Sequence, residues 1–342
     1  MKLKKILLIV FVGGIIIGAI LSILIVPDLF NNYAKNVRKE GVLYVPNNAT
    51  YRQLLDSLSL YVKDIKSLEK VAQKQGLKDN IRAGRYRLKA SMRNKDIVRM
   101  LVNNWEEPFM LTLSGNIRGL EKLSAILGRR FACDSLSFIE YFKGSDILEK
   151  YGFDSLNFMG MFIPNSYEFY WSATPSEVVD RMYKEYEKFW NEERSNKAKL
   201  LGLSKQEVSI LASIVCEETN YAPEMPTVAG VYINRLKKGM KLDADPTVKF
   251  AIGDFSLKRI LFKHLEVESP YNTYKNIGLP PGPITIPSIK GIDAVLNYKE
   301  HNYMYFCASD KMDGTHKFAV TLAQHSQNAR DYQRALNMLN IK

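Results

Sequence analysis

Leu211–Thr219 reads LASIVCEET, and the reading of this stretch decides what fold and chemistry to expect. Ser204 and Glu207, just upstream, stand at capping-box spacing, so a helix starts there and runs through the stretch. At about 100° per residue, Val208, Leu211, Ile214 and Val215 fall within roughly 60° of one line along that helix. Glu218 falls about 20° from the line, whereas Glu217 points roughly 120° away. A carboxyl on a buried stripe is desolvated, which raises its pKa and can keep it protonated near neutral pH, the state a general acid needs. The plainer reading is a rim carboxylate or a structural acceptor at a helix end. Spacing alone leaves both open.

On the amino-terminal side, about 114–195 is mostly helical in pattern: Ile117 to Leu127, Ser135 to Phe142, and a charged helix from Ser176 to Glu193 with an apolar side. Between them GMFIPNSYEFYW, Gly160 to Trp171, reads as strand or loop. A small module covers 41–113. It has a strand at Val42 to Val45, a turn at Pro46 to Asn48, helices from Thr50 and from Ser67, and a strand entered through Gly84. A last helix is capped by Ser91 or Asn94.

Residues 6–26 are uncharged and apolar, long enough to cross a bilayer. Lys2, Lys4 and Lys5 precede them, so residues 1–5 are expected as a cytoplasmic tail and everything after Pro27 outside. A cleaved signal peptide is the competing reading; its apolar region is normally shorter, and no small-x-small cleavage site follows. An uncleaved single-pass anchor is therefore the expectation, with 27–40 as a polar stalk.

On the carboxyl-terminal side, helical pattern continues through Thr227 to Leu236. Turn chemistry then takes over at Gly239, Asp245–Pro246 and Gly253. Pro270 to Pro287 holds five of the thirteen prolines, a rigid segment of the kind that lines clefts. Tyr303 to Ala308 is a strand candidate, and Val320 to Leu339 is helical. The whole reads as α+β: an amino-terminal transmembrane helix, a small α/β module, a helical connecting region at 114–195, and a mixed α+β domain at 196–342 to which 160–171 contributes.

The balance of 48 basic over 36 acidic residues, net +12, suits an anionic partner such as a phospholipid surface or a cell-wall polymer. Basic residues are dispersed, and there is no zinc-knuckle spacing, Walker loop or RNA-binding aromatic motif, so nucleic acid is not the expected partner. Cys133, Cys216 and Cys307 form neither a disulfide framework nor a ligand pattern and read as buried small hydrophobes. His316 and His325 lack a third ligand, so structural roles are expected and no metal or cofactor is implied.

LASIVCEET, VAGVYINRL (Val228 to Leu236), ADPTVKFAIG (Ala244 to Gly253), SPYNTY (Ser269 to Tyr274) and GLPPGPI (Gly278 to Ile284) occur in that order. Together with YMYF (Tyr303 to Phe306) and GTHKFAVTLAQH (Gly314 to His325), they closely resemble the endolytic murein transglycosylases, the MltG or YceG-like family. The resemblance covers the whole chain and makes 41–113 a LysM-like module, which either binds glycan or acts as a spacer. The family pattern at the acid is an acidic residue, a variable position, then the catalytic Glu. Here Cys216 replaces the first acidic residue and the catalytic position is Glu218, the one the helical-face reading also selects. Gly160 to Tyr167 departs from the family's Phe-Pro-Asp-Thr-Tyr, leaving Asn165 and Tyr167 as weak contact candidates.

The resemblance implies a lytic cut between N-acetylmuramic acid and N-acetylglucosamine in nascent glycan strands. Glu218 protonates the bridging oxygen, then takes the proton of the sugar's own C6 hydroxyl as that closes on C1 to a 1,6-anhydro ring. Such cleavage would limit strand length, with peptidoglycan synthases as the suggested partners. Asn234, Arg235, Asp245, Thr247, Asn272, Thr273 and Tyr274 are the substrate-contact candidates. Each has a structural alternative: Asp245 capping a turn, Asn272 bracing the proline-rich loop, Arg235 pairing with a local acid. Two other functions stay open, a hydrolytic muramidase using Asp245 as second carboxylate and a non-catalytic wall-binding scaffold.

Overall fold

The computed structural model describes residues 2–257 and 260–338. In chain order the elements are α1 Lys2–Tyr33, β1 Gly41–Val45, α2 Tyr51–Ser59, α3 Ile65–Lys74, β2 Gly84–Leu88, α4 Asn94–Val102 and β3 Phe109–Leu113. Next come α5 Leu120–Gly128, α6 Ser135–Phe142, α7 Ser145–Tyr151, β4 Asn165–Phe169, α8 Pro175–Phe189, α9 Glu192–Leu201 and α10 Lys205–Glu218. The last are α11 Met225–Lys237, α12 Asp245–Ile252, α13 Phe262–Leu265, α14 Ile289–Leu296, β5 Tyr305–Ala308, β6 His316–Ala319 and α15 Leu322–Met338. The strands pair only in twos, β1–β2, β3–β4 and β5–β6, so the fold is mixed α+β and mostly helical. The chain divides into two compact units, one of residues 1–110 with 130–133 and 168–174, the other of the remainder.

In the first unit, Phe11–Tyr33 is long and apolar enough to cross a membrane, with a mean hydropathy of 2.3. The helix does not stop at Pro27, where a stalk is expected; it runs on to Tyr33. Contacts override the break that Pro signals: the Asn31 side chain accepts from Ser67 Oγ at 2.9 Å and its carbonyl from Asn94 Nδ2 at 2.7 Å. Residues 34–40 are likewise tied in, with Arg38 N donating to Tyr61 O at 2.7 Å and Lys63 N to Asn36 O at 2.7 Å. The polar stretch 27–40 is thus helix as far as Tyr33 and hydrogen-bonded chain beyond it. Thr50 closes a capping box with Gln53 to start α2, and β1 pairs antiparallel with β2 from Gly41↔Leu88 to Val45↔Gly84. Leu43, Leu54, Leu58, Leu68, Tyr86, Leu88 and Ile97 fill the core between. Asn94 does not cap α4. It is fully buried and bonds Asn36 and Ser67, because a buried amide must find partners.

In the second unit α10 is the central element. Ser204 and Glu207 form the capping box the spacing predicts, but every residue from Val208 to Cys216 is buried, so the helix has no polar side. Its serines are satisfied locally: Ser213 Oγ donates to Ile210 O at 2.7 Å and accepts from Ile284 N at 3.0 Å. Cys216 is in contact with α14, where a Cβ at Gly291 would lie 2.3 Å from its sulfur, so only glycine admits the packing.

Three local expectations change. The Ser176–Glu193 helix breaks after Phe189, because Asn191 accepts from Arg194 N at 3.0 Å and caps a new helix, α9. Asp245–Pro246 opens α12 rather than a turn, since proline fits the first helical turn, where its missing N–H costs nothing. Cys133 and Cys307 are half-buried, and only Cys216 is buried.

Candidate active site

Glu218 is the last residue of α10; Thr219 turns to an extended backbone, which frees the carboxyl from the helix. Beside it stands Tyr232 from α11, almost fully buried, whose hydroxyl donates to Glu218 Oε1 at 2.5 Å. The carboxyl lines a cavity of about 460 Å³ with Arg235, Asp245, Tyr274 and Tyr305 among its walls. A second cavity of about 580 Å³, walled by Tyr221, Ser309, Asp313 and Tyr332, shares Glu218, Ala308 and His316 with the first. Glu218 thus lies where two hollows meet, an arrangement open to a chain-like ligand passing over it.

Desolvation is the main force on this carboxyl and raises its pKa from 4.5 to about 7. The negative charge of Asp245 pushes the same way, while the Tyr232 hydrogen bond and Lys249 pull it down. Glu218 therefore keeps its proton up to near-neutral pH. Replacing Tyr232 by Phe removes a bond that favours the ionised form, so the alkaline fall in any Glu218-dependent rate should move up by about one pH unit. A pH–rate profile of the two proteins measures this, and an unmoved alkaline side would mean the phenol does not set the proton affinity.

Glu217 is paired with Arg118, whose Nη2 donates to its two carboxylate oxygens at 2.8 and 2.6 Å and whose guanidinium lies 4.9 Å from the Phe255 ring centre, and it acts on Glu218 through its charge, which adds to the rise in that pKa. With α10 buried all round, it is the partner of each carboxylate, rather than one apolar stripe, that distinguishes the two.

The predicted contact residues divide in position. Arg235, Asp245 and Tyr274 join Glu218 in the cleft wall, and the Tyr274 hydroxyl donates to Asp245 Oδ1 at 2.6 Å. Thr247, Asn272 and Thr273 are almost fully buried behind it. Thr247 and Thr273 hydroxyls bond each other at 2.8 Å, and Thr273 Oγ1 accepts from Ala244 N at 3.0 Å, fixing the entry to α12. Asn272 Nδ2 donates to Leu265 O and Val267 O at 2.8 and 2.9 Å, bracing its own loop. Asn234 donates to the carbonyls of His301 and Tyr303 at 2.7 and 3.1 Å. Tyr167 is buried with its hydroxyl on Ile163 O at 2.6 Å, and Asn165 is exposed on β4.

Tyr232, Tyr305, Phe306 and the pair Glu224–His316 complete the neighbourhood and were not among the candidates from the sequence. Tyr232 is fourteen positions from Glu218 on another helix, so no periodicity links them. His325 stacks on Tyr305 with ring centres 5.5 Å apart, and burial lowers its pKa. Among the described residues no group of three or more His, Cys, Asp or Glu side chains could hold a metal ion.

A curated relative from Bacillus subtilis, an endolytic murein transglycosylase, is 36% identical over 183 residues, 52% of this chain and 49% of its own length. The Streptococcus pneumoniae endolytic murein transglycosylase is 29% identical over 177 residues, 51% of this chain and 32% of its own. The chain therefore spans half or less of the curated relatives it matches. A crystal structure of a yceG-like protein from Listeria monocytogenes superposes with a TM-score of 0.55 at 24% identity, over 85% of this chain and 99% of that one, and shows a shared fold. The YceG-like family model matches residues 43–331, which is most of the chain, and the protein belongs to that family.

Proposed function

We propose that this protein is a lytic transglycosylase of peptidoglycan, tethered by α1 to the outer face of a membrane, that cuts nascent glycan strands internally and so limits their length. The observation that carries the reading is the single desolvated carboxyl of Glu218, protonated up to about pH 7 at the junction of two cavities. Its proton passes to the glycosidic oxygen between N-acetylmuramic acid and N-acetylglucosamine, and the C1–O bond breaks with oxocarbenium character at C1. The C6 hydroxyl of the same sugar closes on C1, and its proton returns to the Glu218 carboxylate. A nucleophile already tethered to the reacting carbon needs no second carboxylate to activate water. The names of the relatives support this substrate class. The unit ordered β1, α2, α3, β2 is read as the LysM-like module, holding glycan or setting the height of the cleft above the membrane.

One observation favours a hydrolytic alternative: Asp245 lies in the same cleft wall as Glu218. One of its oxygens, however, already accepts the Tyr274 hydroxyl. Digestion of purified glycan strands with mass spectrometry of the new ends tests the proposal. Anhydro-muramoyl ends are expected; reducing ends would replace it by hydrolysis, and no cleavage by the intact protein would leave a binding scaffold.

A further inference from the structure

His316 opens β6, its Cα paired with Ala308 of β5, and both residues border the two cavities that meet at Glu218. The carboxylate of Glu224, in the turn before α11, grips it twice: Oε1 accepts the His316 backbone N–H at 2.9 Å and Oε2 meets Nδ1 at 2.8 Å. Both side chains are mostly shielded, with 14% and 13% of their surfaces exposed. A carboxylate only accepts, so Nδ1 carries the hydrogen, and in its neutral form the ring presents its lone pair at Nε2. Among the described residues Nε2 has no hydrogen-bond partner. The edge-on Phe306 ring, 5.4 Å away at 87°, also packs edge-on against Tyr232, the residue that bonds Glu218. The ring is fixed at one nitrogen and leaves the other for a ligand in the cavities whose walls it shares with Glu218.

We propose that His316 is a second substrate-contacting group of the cleft, whose Nε2 accepts a hydrogen bond from the C6 hydroxyl of the muramoyl sugar and holds that oxygen toward C1, with Glu224 as its positioning residue. This rests on the lytic reading above and deepens it. While Glu218 is protonated the hydroxyl's one hydrogen points at Nε2; once Glu218 has given its proton to the leaving oxygen, that hydrogen turns to the Glu218 carboxylate and passes there as the C6 oxygen bonds C1, so the balance of the reaction is unchanged. What His316 decides is which nucleophile reaches C1: held, the internal hydroxyl closes the ring; released, water competes and leaves a reducing end.

The test uses the full-length protein, purified glycan strands, steady-state rates and the identity of the new ends. His316→Phe keeps a ring and removes both nitrogens. It should lower kcat by about 100-fold with KM within about threefold, and reducing ends should appear among the products. His316→Gln restores an acceptor, so it should recover mainly anhydro ends. Glu224→Gln loosens the double grip that fixes the ring, so reducing ends should appear among its products as well. A folded His316→Phe enzyme that makes only anhydro ends, at any rate, overturns the proposal. If that variant loses its cooperative melt, Glu224→Gln decides, and anhydro ends alone from it overturn the proposal. Reducing ends alone from the unmutated enzyme would instead overturn the lytic reading, a result visible before any substitution is made.

Discussion

Glu218→Gln should abolish glycan cleavage, lowering kcat by about 1,000-fold while leaving the fold intact. The amide is the same size and can still accept from Tyr232, but it has no proton to give. The same substitution should also change stability in a direction set by the raised pKa. Below pH 4.5 the carboxyl is neutral in both folded and unfolded chains, and Gln brings no advantage. Between 4.5 and about 7 the unfolded chain releases its proton first, so rising pH costs the folded wild type stability, and above about 7 that cost is complete. The variant should therefore melt higher than wild type at pH 8 and alike at pH 4. The gain is at most about 3 kcal/mol, reduced by solvent reaching the cleft mouth. Full activity in the purified Gln protein would remove Glu218 from the mechanism, and equal melting at both pH values would show that the carboxyl is not desolvated.

Arg235→Met should cost about 3 kcal/mol of folding stability, the second large effect. Only 9% of the arginine side chain is exposed. Its Nε donates to Met304 O at 2.7 Å, and its Nη1 donates to the carbonyls of Lys241 and Leu242 at 3.1 and 2.9 Å and to Asp243 Oδ2 at 2.8 Å. Methionine fills the volume and leaves these acceptors without a donor, which costs more than the bonds themselves contribute. The guanidinium also ties the approach to β5 to the loop before α12, two walls of the cleft, so activity should fall with stability. Denaturant unfolding alongside steady-state kinetics measures both. A variant of unchanged stability with only a raised KM would instead make Arg235 a plain contact with substrate.

The extent to which the sequence is legible follows from the range of the interactions involved. Thr50 with Gln53 and Ser204 with Glu207 announce their helices because a cap is made within four residues. The strands around Val45 and Gly84 show through alternation, and the apolar run of α1 through length alone. Where chain-distant groups compete with a local signal, the local signal loses: Pro27 sits inside a helix whose end is held by Ser67 and Asn94, and Asn94 is a buried hydrogen-bonding centre rather than a cap. β6 stays hidden because four residues carry too little pattern to be read without their partner strand.

The same division runs through the site. By itself the sequence determined that Glu218 ends a helix rooted in apolar packing, which residues accompany it in ordered motifs, and that a basic chain begins with a membrane-length apolar helix; each is a matter of residue type and spacing. Only the tertiary structure decided that Glu217 is bound to Arg118 while Glu218 meets Tyr232, that Thr247, Asn272 and Thr273 stand behind the wall that Asp245 and Tyr274 face, and that Glu224 clamps His316 in the wall of the cavity that Glu218 lines. The physical reason is that desolvation and hydrogen-bond partnership are properties of the space around a group, and that space is filled by residues far away along the chain.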